Sequence, residues 1–367
     1  MGGAALGMSG TLRILEPNLA GNAGHYAEFA RAVAERCAPR FDRLEVHGGP
    51  GIDRLELLGH ECITALPTCG GRSEFAVLRR LSGDRSAPTL VLTAKARHAL
   101  ELEALHRCLR HDPSRMNLFF HWSEDAAHQR LAMALARAVR RQATALAPTS
   151  TTASFLRAAG WRNVRQVAYP ARAPKSLPER LPEPTRLLVA GAARRNKGIH
   201  LIADLADRYA SERPETPMLV QSTGKRAGRH GAAEHAPLEQ LERCGWQGLQ
   251  LDASAPNRDE YARRFEGALV LTPYDPVHFR DNVSGIALDA LLHGAPIIAT
   301  SGTWQARLIE RFGCGVCMKA WDVENLRTSI QQAVIQWDDI SKAAHHAAVE
   351  LAAEHDPRHV VNAIAIG

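Results

Sequence analysis

The chain has 367 residues, 45% hydrophobic and 23% charged. That is an ordinary composition for a soluble globular protein, with length for two domains at roughly 150 residues each. No run approaches the roughly 20 apolar residues that cross a bilayer. The net charge of +6 points to acidic partners: nucleotide phosphates, a lipid phosphate or an anionic membrane surface. With aromatics at 5% and no RRM, KH, zinc-finger or helix-turn-helix signature, nucleic acid is not an expected partner.

Met1–Gly10 is small and uncharged, without the basic and apolar regions of a signal peptide, and reads as a flexible leader or an expression remnant. A cytoplasmic location follows as the expectation, extending to peripheral contact with the cytoplasmic face of a membrane. Leu12–Leu15 reads as a first strand, followed by a loop over Pro17–Gly24. Tyr26, Phe29, Ala30, Val33, Ala34 and Cys37 then recur with helical spacing on one apolar face. Leu44–Val46 is a second strand, and helical pattern surrounds Phe75–Leu81. A strand over Thr89–Thr93 and a helix over Leu100–Leu109 come next. They are followed by a strand over Met116–Phe120, ending at His121, and one long helix over Asp125–Val139. Arginines are frequent from Arg130 to Arg172, either as a solvated face or as a surface for anions.

Ala143–Pro148 reads as a strand into a turn. Thr149–Thr152 caps a short helix over Ala153–Ala159, which Gly160 ends. Val164–Ala168 is a strand. The prolines at 170, 174, 178, 182 and 184 then mark a linker and the main domain boundary. The pattern restarts with a strand at Arg186–Ala190, a loop at Gly191–Lys197 and a helix at Gly198–Tyr209. Met218–Gln221 is a strand and Arg226–Pro237 reads as polar and flexible. Strands at Leu249–Leu251 and Leu269–Thr272 flank a helix at Arg258–Phe265. A helix at Ser284–Leu292, a strand at Ile297–Ala299 and helices at Val323–Trp337 and Ile340–Ala353 complete the chain. Seven scattered cysteines include one Cys-x-x-Cys pair, Cys314 and Cys317, in a turn leading into a short strand; with no second pair nearby they read as reduced structural thiols.

Alternation of strand and helix in both halves calls for parallel sheets covered on both faces. Ligands of such sheets bind beyond the carboxyl ends of the strands. The segment Tyr274–Thr300 is the most informative. Ser284 is a good N-cap, and Gly294 with Pro296 terminates the helix. The first N–H groups of that helix, near Gly285, Ile286 and Ala287, lack internal partners and form an anion site. Asp281 lies just before it. Asp289 lies in its second turn, within an apolar run, either facing solvent or serving a ligand.

Asp281, seven intervening residues, Asp289 and then His293-Gly294-Ala295-Pro296-Ile297 resemble the C-terminal signature of the family-4 retaining glycosyltransferases. Leu187–Ile199, with Gly191, Lys197 and Gly198, resembles that family's strand-Gly-Arg-x4-Lys-Gly motif. The resemblance implies a GT-B fold: two Rossmann-like, doubly wound parallel-sheet domains facing a central cleft. It implies an acceptor-side domain over 1–170, a donor domain over 171–345 and a C-terminal helix in 346–367 crossing back. It implies that Asp281 bonds hydroxyls of the donor sugar, Asp289 the ribose, and Lys197 the diphosphate, with Gly191 in the same loop. Position 192 is Ala where the family has Arg, so Arg194 or Arg195 is the candidate replacement. Aspartate stands where glutamate is usual at both acidic positions, one methylene shorter.

The loop Asn18–Tyr26 resembles the family's glycine-rich loop after the first strand. That makes Gly24 a donor-side candidate and Asn22 and His25 acceptor-side candidates, with His25 equally readable as a first-turn helix residue. His121 matches a histidine often facing the donor sugar, or is bonded to local backbone. The implied activity is retaining transfer from a UDP- or GDP-linked sugar, without cofactor or metal, to a glycan, glycolipid or lipid-linked acceptor in cell-surface polysaccharide or glycoconjugate synthesis. The same fold supports a nucleotide-sugar epimerase. It also supports a nucleotide-sugar-binding protein without turnover, which Ala192 suggests.

Overall fold

The computed structural model describes residues 8–19, 25–37, 40–49, 63–65, 71–122, 127–222, 232–254 and 256–364. The chain divides into two units, residues 1–172 with 355–367, and residues 173–354.

The first unit contains β1 (Met8–Glu16), α1 (His25–Cys37), β2 (Phe41–Gly48), β3 (Ile63–Ala65), α2 (Gly71–Gly83), β4 (Thr89–Val91), α3 (Ala96–Leu109), β5 (Met116–Phe119), α4 (Ala127–Leu135), α5 (Arg137–Gln142), β6 (Thr144–Ala147), α6 (Ser150–Ala158) and β7 (Asn163–Gln166). Its sheet has the order β3-β2-β1-β4-β5-β6-β7, with every pairing parallel. The central strands are buried on both faces, as helix-covered parallel strands must be: Leu12, Ile14, Leu15, Leu90, Val91, Leu118 and Phe119 are at most 1% exposed. Strand β1 starts at Met8, so Met8–Gly10 belong to the sheet and not to a leader; the Gly10 N–H donates to Asp42 Oδ2 at 2.8 Å.

The second unit contains β8 (Arg186–Val189), α7 (Ile199–Glu212), β9 (Met218–Gln221), α8 (Ala232–Arg243), β10 (Leu249–Asp252), α9 (Arg258–Arg263), β11 (Ala268–Thr272), α10 (Gly285–Leu292), β12 (Ile297–Thr300), α11 (Trp304–Phe312), β13 (Gly315–Met318), α12 (Val323–Ile335) and α13 (Trp337–Glu354). The sheet order is β10-β9-β8-β11-β12-β13, again parallel throughout. Chain order reverses between β1 and β4 in the first sheet and between β8 and β11 in the second. These are the switch points where doubly wound sheets hold ligands.

Helix α14 (Arg358–Ala363) belongs to the first unit. The Ala171 N–H donates to the His355 carbonyl at 2.9 Å, and His355 Nδ1 donates to the Tyr169 carbonyl at 2.7 Å. Arg40 donates to the Val361 carbonyl at 3.1 Å and to Asn362 Oδ1 at 2.8 Å.

Two sequence expectations change. The helix expected over Asp125–Val139 is broken at Ala136, whose φ of −76° and ψ of 56° leave the helical region. Part of the segment expected to be flexible over Arg226–Pro237 is helical, since α8 begins at Ala232 and contains Pro237; proline removes one helical hydrogen bond there without ending the helix. The expectation for Cys314 and Cys317 stands: both are free thiols, and burial first of all pushes them up to about 12 and about 11.

Candidate functional site

The site is built at the switch point of the second unit. The loop after β8 carries Gly191 to Gly198; the loop after β11 carries Pro273 to Ser284. Two glycines set their spacing. Gly198 has φ +78°, and a methyl placed on it would lie 2.1 Å from the Pro273 carbonyl oxygen, so only glycine fits between the loops. Gly191 has φ +87°. A methyl there would lie 3.1 Å from Ile286 Cγ1 and 3.5 Å from Lys197 Nζ. Gly191, Lys197 and the first turn of α10 therefore meet around one small space.

The same loops are fastened from behind. The Gly191 N–H donates to Gln221 Oε1 at 2.8 Å, the Asp275 N–H to the Asn196 carbonyl at 2.9 Å, and Trp321 Nε1 to the Pro273 carbonyl at 2.8 Å. Residues 195–197 form a 3-10 turn ending at Gly198.

Lys197 is half-buried, with Nζ 5.2 Å from the centre of the Tyr274 ring. No carboxylate pairs with Lys197, Arg194 or Arg195 among the described residues. Arg194 is half-buried; Arg195 is exposed. Burial and then the Arg195 charge lower the pKa of His200, which packs edge-on against Trp321. The Tyr274 hydroxyl and Asn196 Oδ1 are buried without a hydrogen-bond partner among the described residues. A loop with unpaired cations and unfilled polar atoms is suited to an anionic ligand.

Helix α10 presents its N-terminus to this space. Ser284 Oγ accepts the Ala287 N–H at 3.2 Å, leaving the Gly285 and Ile286 N–H groups without intrahelical partners. Along α10, Ala287, Leu288, Ala290 and Leu291 are fully buried, whereas Gly285, Ile286 and Asp289 are half-buried. These three share one helical stripe, so the acidic residue lies on the same face as the anion site. Asp289 is not a solvent-facing surface residue, because Oδ2 accepts the Tyr261 hydroxyl at 2.8 Å. Burial, and then the Asp289 charge, push the Tyr261 phenol well above its ordinary value of 10.

Asp281 lies before α10, with Oδ2 3.0 Å from Arg280 Nε and Oδ1 3.4 Å from Arg307 Nη2. These guanidinium groups sit on a carboxylate that sequence reasoning reserved for a sugar. A carboxylate offers about four acceptor sites, so the two pairs do not saturate it.

His121 belongs to the first unit. It is 5% exposed, its Nε2 donates to the Leu92 carbonyl at 2.8 Å, and its ring packs edge-on against Phe29, Phe119 and Tyr169. That is the backbone-bonded alternative for this residue. His25 is the first residue of α1; Asn22 and Gly24 lie outside the described residues. At the carboxyl end of β1, fully buried Glu16 accepts the Asn18 N–H at 2.9 Å and the Thr93 hydroxyl at 2.5 Å. Burial, partly offset by these bonds, pushes it up to about 7.

Sequence reasoning brought Gly191, Lys197, Ser284, Gly285, Ile286 and Asp289 to one place. It missed Tyr261, Tyr274 and Asn196. Tyr274 opens the motif segment and carried a signal; Tyr261 sits on a helix whose sequence gives no hint of reaching Asp289. Among the described residues, no helix is long and apolar enough to cross a membrane.

No family model matches the sequence, and no match is found among curated proteins. The solved structures it resembles include GT-B glycosyltransferases, and the chain shares that fold. Sucrose-phosphate synthase from Thermosynechococcus elongatus superposes with a TM-score of 0.71, 13% identity and 96% of each chain covered. Anabaena HepE in complex with UDP gives 0.67 and 13%, covering 96% of this chain and 97% of that one. WaaG, a glycosyltransferase involved in lipopolysaccharide biosynthesis, gives 0.66 and 14%, covering 98% and 100%.

Proposed function

We propose that the protein is a retaining glycosyltransferase that binds a UDP- or GDP-linked sugar in its second unit, with the acceptor held by the first. One observation carries this reading: an unpaired lysine, Gly191 and the free N–H groups of α10 converge at the switch point, with a carboxylate one turn further along the same stripe. The HepE structure in complex with UDP supports a nucleoside diphosphate as the ligand of such a fold.

In this reading the diphosphate lies between Lys197 and the Gly285 and Ile286 N–H groups. The helix N-terminus and the cation both favour the negative charge that grows on the leaving phosphate. Arg194 or Arg195 supplies the second cation that Ala192 does not. Asp289 receives the ribose hydroxyls. Asp281 receives sugar hydroxyls on the acceptor sites that its two arginines leave open. The bond from anomeric carbon to phosphate oxygen breaks, the acceptor oxygen bonds to that carbon on the same face, and the acceptor proton passes to the leaving phosphate oxygen. Lysine and backbone dipoles handle the charge in place of a metal ion.

The acceptor follows from charge. The first unit holds 24 Arg and Lys against 16 Asp and Glu, a net of +8, while the second holds 21 against 23. Residues 126–172 contain eight arginines and no acidic residue. An anionic or lipid-linked glycan acceptor, and contact with an anionic membrane surface from the cytoplasmic side, fit this field. Co-sedimentation with anionic vesicles, decreasing with salt, is the expected result; equal binding to neutral vesicles argues against it.

The direct test incubates the protein with nucleotide sugars and candidate acceptors and determines the anomeric configuration of the product by NMR. Transfer with retained configuration supports the reading. Inverted product overturns the mechanism, and isomerised donor without an acceptor identifies an epimerase instead.

A further inference from the structure

Resting on the donor-site reading above, we propose that Tyr261 is the positioning residue that makes the site selective for a ribonucleotide, by aiming the Asp289 carboxylate at the ribose hydroxyls. Aspartate at position 289 has a short reach and few torsions. Its carboxylate is held by the Tyr261 hydroxyl at 2.8 Å. Tyr261 is itself locked. Its ring meets Phe265 edge-on at 5.1 Å, Phe265 stacks on His293 at 5.2 Å, and His293 Nδ1 donates to the Asp289 carbonyl at 2.7 Å. The chain of contacts leaves the Asp289 side chain and returns to its backbone.

Helix α9, which delivers the tyrosine, is fixed by a reciprocal cap. The Glu260 N–H donates to Asn257 Oδ1 and the Asn257 N–H to Glu260 Oε2, both at 2.9 Å. Arg264 is ion-paired with Asp252 at the end of β10.

Stability alone does not call for this pair. A phenylalanine would keep the ring contacts, and replacing both partners of a partly buried hydrogen bond with apolar groups is close to neutral. The pair instead keeps a carboxylate on the one half-buried stripe of an otherwise apolar helix, one turn beyond the anion site. A carboxylate has acceptor sites for a phenol and for ribose hydroxyls together. Without the phenol, the aspartate gains rotamers that point away from the ribose, and the preference for hydroxyls is lost before affinity for phosphate is.

The test is calorimetric titration of the full chain with UDP and GDP and with their 2′- and 3′-deoxy forms, on wild type, Tyr261→Phe and Tyr261→Phe/Asp289→Glu. Wild type is expected to bind a ribonucleotide about 10-fold more tightly than a deoxy form, as one lost hydrogen bond implies. Tyr261→Phe is expected to weaken the ribonucleotide by about that factor and leave the deoxy form within twofold. Tyr261→Phe/Asp289→Glu, whose acidic side chain has one more torsion and still no phenol, is expected to discriminate no better than Tyr261→Phe. Full discrimination in Tyr261→Phe overturns the proposal, as does equal weakening of both forms, which marks a structural role. If no nucleotide binds wild type, the donor-site reading fails first; if nucleotides bind and discrimination ignores Tyr261, only this proposal fails.

Discussion

Lys197→Met separates a binding lysine from a structural one. Methionine keeps most of the apolar stem and removes the charge. In the free protein the ammonium has no carboxylate partner among the described residues and stands near the first turn of α10. There the helix dipole disfavours a cation by about 0.3–1 kcal/mol. Its contact with the Tyr274 ring contributes about 0.5–1 kcal/mol in the opposite sense. The two nearly cancel, so unfolding free energy should change by less than about 1 kcal/mol. A charge-assisted bond to a diphosphate contributes about 1.5–3 kcal/mol, which is about 10- to 150-fold in dissociation constant. Calorimetry with UDP and GDP at two salt concentrations reads the affinity, and urea denaturation reads the stability. The expected result is weaker nucleotide binding with less salt dependence and unchanged stability. Affinity within threefold of wild type, or a stability loss above about 2 kcal/mol, refutes the reasoning.

Other outcomes follow from single residues. Gly198→Ala places a methyl against the Pro273 carbonyl and forces a left-handed backbone on alanine; it should destabilise by about 2–4 kcal/mol in urea, and a loss below 0.5 kcal/mol would show that the loops adjust freely. Ser284→Ala removes the cap of α10 and should cost about 1 kcal/mol by thermal denaturation; no change would mean the Ala287 N–H finds another partner. Glu16 is raised from 4.5 to about 7, so folding favours its protonated form. That contribution is full below pH 4.5 and is lost as pH rises to about 7, a span of about 3 kcal/mol. Glu16→Gln keeps the shape and should flatten this part of the pH–stability curve; parallel curves for variant and wild type would show that Glu16 does not titrate there.

Elements with strong periodicity or clear caps were legible in the sequence. The helix after Ser284 was placed by its capping hydroxyl, which accepts the N3 amide as expected; the helix expected to start at Ala153 starts instead at Ser150, with Thr149 as its cap. Helix α11 was overlooked although it carries the same signals, a Thr303 cap and Gly313 after its end. Strand β3, three residues at a sheet edge, had too little pattern to be read. Pro237 concealed the start of α8, because a proline reads as a breaker when its tertiary support is unseen. For the candidate site, the glycines were legible because close backbone approach needs glycine, and the lysine because of its place in the loop they bound. Tyr261 was not, since its partner lies 28 positions away and only packing of α9 against α10 brings them together.

The return of α14 to the first unit bears on synthesis at the ribosome. Val360, Val361 and Ile364 are buried in a unit whose other members were made before residue 173. The second unit is thus, in topological terms, an insertion within the first, and its chain is complete before theirs. The first unit waits with an open seam between Tyr169 and the place His355 will take. The segment from His355 onward closes it only after residues 173–354 have been made, so removing even this short segment would leave an unfinished domain.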